Sequence, residues 1–105
     1  LEEMSKPYRG TKNTTFEGGV RQPAIVRWPG HTKPGTDKGG LVFVSDFFPT
    51  FITLAGGSHE QERPIDGIDM TSMLFEGKKS QRKEIVYDVA GSVRLPTIRN
   101  GDFKT

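Results

Sequence analysis

Lys12 opens a short run that could gather around an oxyanion: a cation, then the hydroxyls of Thr14 and Thr15 after Asn13, then Glu17, Gly18-Gly19 and Arg21. An ammonium is a strong point-charge donor to sulfate or phosphate oxygens. A lysine in a polar run is also, by default, a solvated side chain, and spacing alone leaves both readings open. The run is not a P-loop, because G-x-x-x-x-G-K-[ST] is absent. With no cysteine in 105 residues, disulfides and thiolate metal sites are excluded within this sequence, and the redox compartment is undetermined. The two histidines, His31 and His59, lie in Gly- and Pro-rich stretches without a partner at ligand spacing and are read as solvated. Asp66 and Asp69 in DGIDM superficially resemble paired carboxylates, but a turn acid followed by a helix N-cap accounts for them. No catalytic residue and no metal ligand is assigned.

Local signals define the elements that would position Lys12. PAIVRW, bounded by Pro23 and Pro29, is a strand candidate, and Gly18-Gly19 before it permits positive φ or a close backbone approach. LVFV, Leu41 to Val44, is expected as a buried strand or extended entry. In SDFFPTFITLAGG, Ser45 or Asp46 can cap a helix whose first turn tolerates Pro49 and which Gly56 stops. Phe47, Phe48, Phe51, Ile52 and Ala55 then form one wide apolar stripe that requires a large surface to bury against. A shorter helix is predicted from Asp69 to Glu76 with Met70, Met73 and Leu74 inward. EIVYDV, Glu84 to Val89, has strand character, and Asn100-Gly101 between two short runs is a type I′ hairpin signature.

A net charge of +2 with both signs interspersed gives no basic block for nucleic acid. No apolar run approaches the roughly 18 residues that would span a bilayer. Hydrophobic residues make up 32% of the chain, thin cover for a self-sufficient core, and the sequence stops inside the second arm of the hairpin. Both features lead to the expectation of a portion of a larger protein.

RGTKNTTFEGGVRQPAIVRWPGHTKPG, followed by VSDFFPTFITLAGG, RPIDGIDMTSMLFEG and TIRNGDFK, resembles the later part of a type I, arylsulfatase-like sulfatase of the alkaline phosphatase superfamily. The ordered set of blocks is specific and covers nearly the whole chain. The resemblance implies an α/β fragment of an alkaline-phosphatase-like sulfatase fold: residues 1–82 as the C-terminal part of the large domain, and 83–105 as the start of a small antiparallel C-terminal domain. It places Lys12 on the lysine that contacts the sulfate ester oxygens. Glu17 and Arg21 are read beside it as a local ion pair or backbone-bonding pair that fixes the turn, and Gly18 and Gly19 as conformational.

The motif Cys/Ser-x-Pro-x-Arg, source of the family's formylglycine nucleophile, is absent, as are its Asp-Asp and Asp-Asn metal ligands. The segment is therefore expected to be inactive alone and to hold no cofactor. Calcium, or another divalent cation, and formylglycine are expected in the parent, which by resemblance is periplasmic, secreted or lysosomal. The partners implied are a sulfate ester and the rest of the sulfatase chain, with neither nucleic acid nor membrane, and self-association of the fragment through its Phe-rich helix is a further expectation. Asn13 replaces a family glycine and creates a sequon, which is read as a neutral replacement because a glycan there would block the substrate. Two alternatives stand beside the sulfatase reading: a non-catalytic interaction module, and a phosphate or phosphonate ester hydrolase of the same superfamily. The upstream sequence would separate them by its nucleophile motif.

Overall fold

A computed structural model of the chain describes residues 5–58, 60, 63–87 and 96–105. Three helices are present among them: α1 (Glu17–Val20), α2 (Phe47–Leu54), entered through a 3₁₀ turn at Val44–Asp46, and α3 (Thr71–Phe75). Three strands follow, β1 (Glu84–Tyr87), β2 (Thr97–Asn100) and β3 (Phe103–Lys104), in an antiparallel sheet ordered β1-β2-β3. No described helix is long and apolar enough to cross a membrane. The chain divides into two compact units, one formed by Leu1–Ile25 with Glu84–Thr105, the other by Val26–Lys83.

In the first unit, β1 pairs with β2 from Glu84↔Asn100 to Tyr87↔Thr97, and β2 with β3 through Arg99↔Lys104 and Asn100↔Phe103. Ile85 is its buried apolar side chain. The hairpin expected at Asn100-Gly101 forms one residue later, because Asn100 is still paired and the two loop residues are Gly101 and Asp102. Only Gly101 takes positive φ (56°), the type II′ rather than the type I′ requirement. Asp88 and Val89, the end of the expected strand, lie outside the described residues, as does His59.

In the second unit, α2 forms where its Pro and Gly signals place it, but a different face is buried. Asp46, Pro49 and Thr50 are buried, whereas Phe48 and Phe51 are 53% and 61% exposed. The reason is hydrogen bonding. Thr50 Oγ1 donates to Asp46 O (2.6 Å) and accepts Met70 N–H (2.9 Å), so one buried hydroxyl satisfies two backbone groups that water cannot reach. Asp46 does not cap the helix; its carboxylate accepts Phe43 N–H (2.8 Å), Ile68 N–H (2.9 Å) and Arg82 Nε–H (2.8 Å), and Arg82 Nη2 donates to it as well. Arg82 Nη2 also donates to Asp66 O (2.7 Å). Burial alone would raise the Asp46 pKa, but Arg82 and the two backbone N–H groups outweigh it and hold the carboxyl below its ordinary range. Gly67 is required beneath α2: a Cβ there would stand 2.2 Å from Ser45 O.

α3 begins two residues after Asp69, whose Oδ1 accepts Thr71 N–H (2.7 Å) while Thr53 Oγ1 donates to Oδ2 (2.5 Å). Met70 and Met73 are buried as expected. PAIVRW is not a strand. Ile25 is 93% exposed and, among the described residues, the run has no neighbouring strand to take its N–H and C=O groups. Leu41 to Phe43 is a half-buried connection without strand pairing, tied down where Ser80 Oγ donates to Leu41 O (2.5 Å).

Candidate functional site

Lys12 sits in a turn closed by Thr14, whose N–H (3.1 Å) and Oγ1–H (2.7 Å) both donate to Thr11 O. Asn13 occupies the left-handed region at φ 71°, which Gly and Asn tolerate far better than other residues. That geometry suits asparagine at this position. The Lys12 side chain is exposed and makes no ion pair or hydrogen bond among the described residues. The hydroxyls expected beside it are engaged elsewhere: Thr14 within the loop with Thr11 O, and Thr15 Oγ1 accepting from Thr97 Oγ1 on β2 (3.1 Å).

The Lys12 turn rests on α1. Gly18 N–H donates to Arg9 O (2.8 Å), and Ser5 Oγ donates to Gly18 O (3.2 Å). A Cβ on Gly18 would lie 2.2 Å from Gly10 O, and one on Gly19 would lie 2.2 Å from Thr14 O and 2.5 Å from Thr11 O. Only residues without a side chain allow the loop to close on the helical turn this tightly. The Gly-Gly pair is therefore a packing device, in keeping with its conformational reading.

Glu17 and Arg21 are joined through the backbone, Arg21 N–H donating to Glu17 O (2.8 Å), rather than by an ion pair of their side chains. The Glu17 carboxylate accepts hydrogen bonds from Arg99 Nη1 (3.3 Å to Oε1, 3.2 Å to Oε2) and Lys104 Nζ (3.0 Å). Arg21 lies over the Tyr8 ring, 4.6 Å from its centroid. The Lys104 hydrogen bond, opposed by burial and helped by the positive charges of Lys104, Arg99 and Arg21, holds Glu17 below its ordinary pKa. Tyr87 is raised by burial and by the charge of Glu17. Lys104 also lies 4.6 Å from the centroid of the Tyr87 ring.

Sequence reasoning missed Arg99 and Lys104, although a signal exists. In the hairpin they are directly opposed, and like charges facing across a ladder are destabilising unless an anion stands between them. His31 is exposed and stacks on Trp28 at 4.0 Å. Asp66 and Asp69 are separately engaged, Asp66 through its carbonyl to Arg82 and Asp69 at the start of α3. The described residues contain no group of three or more His, Asp or Glu able to hold a metal ion.

This arrangement is an exposed cation on a braced turn within a small sheet-and-helix segment. The family model for the N-sulphoglucosamine sulphohydrolase C-terminal region matches residues 10–91. Arylsulfatase G of Canis lupus familiaris is 36% identical over 97 residues, covering 89% of this chain and 18% of that protein. N-acetylgalactosamine-6-sulfatase is 41% identical over 81 residues in Sus scrofa and 38% in Homo sapiens, each match covering 77% of this chain and 16% of the relative. The matches fall in the C-terminal portion of those sulfatases. The chain belongs to the sulfatases, in the N-sulphoglucosamine sulphohydrolase C-terminal family. It spans less than a fifth of the length of these relatives.

Proposed function

We propose that this chain is the C-terminal part of an enzyme that hydrolyses sulfate esters, and that Lys12 binds the ester's sulfate oxygens. The parent would have the alkaline-phosphatase-like fold, with residues 1–82 completing its large α/β domain and 83–105 starting the small C-terminal domain. The observation that carries the reading is the state of Lys12: an exposed ammonium without an internal counterion, on a turn held in place by the Asn13 conformation and the Gly18-Gly19 contact. A cation fixed in advance where negative charge resides needs no reorganisation as the reaction proceeds.

The described residues do not fit a divalent cation, so this segment would contribute neither metal ligand nor nucleophile. Calcium, or a similar cation, and formylglycine belong to the remainder of the parent. They would supply charge neutralisation and the attacking group. Lys12 would orient the sulfate and stabilise its oxygens, and the segment alone would be inactive. Its partners are then the sulfate ester and the rest of the sulfatase chain.

The test is Lys12→Ala in the complete protein, assayed on a chromogenic aryl sulfate. Loss of one preorganised donor is worth about 3–4 kcal/mol, so turnover should fall roughly 10²- to 10³-fold. The melting temperature should hardly change, because an exposed lysine contributes little to stability. Near-normal turnover would overturn the assignment.

A further inference from the structure

We propose that Glu17 is a positioning residue for Lys12, acting by clamping the lysine-bearing loop to the β2–β3 hairpin through Arg99 and Lys104. The proposal rests on the reading of Lys12 as the sulfate-binding cation. Three connections carry it. The Lys12 turn is packed against α1 at van der Waals limits, since neither Gly18 nor Gly19 leaves room for a Cβ. α1 starts at Glu17, so the side chain that opens the helical turn also governs where the turn lies. The carboxylate is held by two cations 82 and 87 residues further along the chain, with a second link from Thr97 to Thr15.

The side chains of Glu17, Arg99 and Lys104 are only 30%, 26% and 20% exposed, so solvent screens this cluster less than an open surface pair. Arg99 and Lys104 would repel each other across the hairpin without the acid between them. Glu17 is thus needed on both sides, to fix the loop and to neutralise the strand pair. Glu17 is occupied by Arg99 and Lys104, and Lys12 makes no ion pair among the described residues. The small sheet acts here as a template for the position of an ammonium that it does not itself carry.

The experiment is a double-mutant cycle in the complete protein, with Lys12→Ala, Glu17→Gln and their combination assayed on a chromogenic aryl sulfate, and thermal melts confirming folding. Glu17→Gln removes the charge and keeps the shape. It should lower kcat/KM about ten- to a hundredfold, the range in which a misplaced binding group acts. In the Lys12→Ala background it should have no further effect, because a residue that acts through Lys12 has nothing left to position. If Glu17→Gln does not fold, Lys104→Met, which leaves Arg99 on the carboxylate, enters the same cycle with the same expected non-additivity. If the double variant falls below detection, the cycle is read on calorimetric affinity for inorganic sulfate. Independent multiplication of the two effects, or native kcat/KM in Glu17→Gln beside a crippled Lys12→Ala, would overturn the positioning role and leave Lys12 in place. Near-native Lys12→Ala would overturn the Lys12 reading, and the positioning role with it.

Discussion

Removing the Asp46 carboxylate should open the Val26–Lys83 unit. Asp46 is 1% exposed and accepts the N–H groups of Phe43 and Ile68 and two donors of Arg82, whose side chain is itself only 11% exposed. In Asp46→Ala the two N–H groups lose their acceptor, and the guanidinium loses its carboxylate while keeping Asp66 O and the Phe43 ring. Breaking one side of a buried ion pair costs about 3–5 kcal/mol, because an uncompensated charge is left behind. At roughly 1.4 kcal/mol per factor of ten, that is about a 10²- to 10⁴-fold loss of protection from local opening. Native-state hydrogen exchange on the complete protein, read at the Phe43, Ile68 and Met70 amides, measures this directly. Asp46→Leu combined with Arg82→Met should be less damaging than Asp46→Ala alone, since the guanidinium is then removed together with its carboxylate. Protection within about tenfold of native in Asp46→Ala, or a double variant as damaging as the summed singles, would refute the reasoning.

Acid unfolding should carry the signature of the same carboxylate. Because Asp46 is held below its ordinary value of 3.8, its contribution is complete above that pH and is lost as pH falls through the depressed value. Asp46→Asn should therefore shift the acid limb of a pH titration, and coincident limbs would contradict this. Gly19→Ala should lower turnover of the complete protein about tenfold or more, because its Cβ would drive into Thr14 O and Thr11 O and displace the Lys12 turn; full activity would show that the contact can relax. The isolated 105-residue chain should neither hydrolyse an aryl sulfate, with or without calcium, nor remain monomeric with Phe48 and Phe51 exposed. Metal-dependent turnover would contradict the first outcome, and light scattering from a compact monomer the second.

The locally encoded features were legible in the sequence. Pro49 and Gly56 bracket α2, Gly77 follows α3, and β-branched residues mark β1 at the positions where these elements form. The apolar stripe on α2 misled because apolarity was equated with burial. The buried side is instead the one that satisfies the Ile68 and Met70 N–H groups through Asp46 and Thr50. Its Phe48 and Phe51 remain exposed.

Asp46 looked like a helix cap because Asp beside an apolar run usually is one, and its actual partner lies 36 residues away at Arg82. PAIVRW has strand composition but finds no strand to pair with among the described residues, and composition carries no information about a neighbour. Lys12, Asn13 and the Gly-Gly pair were visible as a motif. The cations that hold Glu17 were hidden by sequence separations of 82 and 87 residues, apart from the like-charge pair they form across the hairpin.

The most direct measurement is a crystal structure of the complete protein soaked with inorganic sulfate. Placement of Lys12 at the ester predicts the ion with one oxygen about 2.7–3.1 Å from Lys12 Nζ. A sulfate bound in the active site with Lys12 turned away into solvent would contradict it.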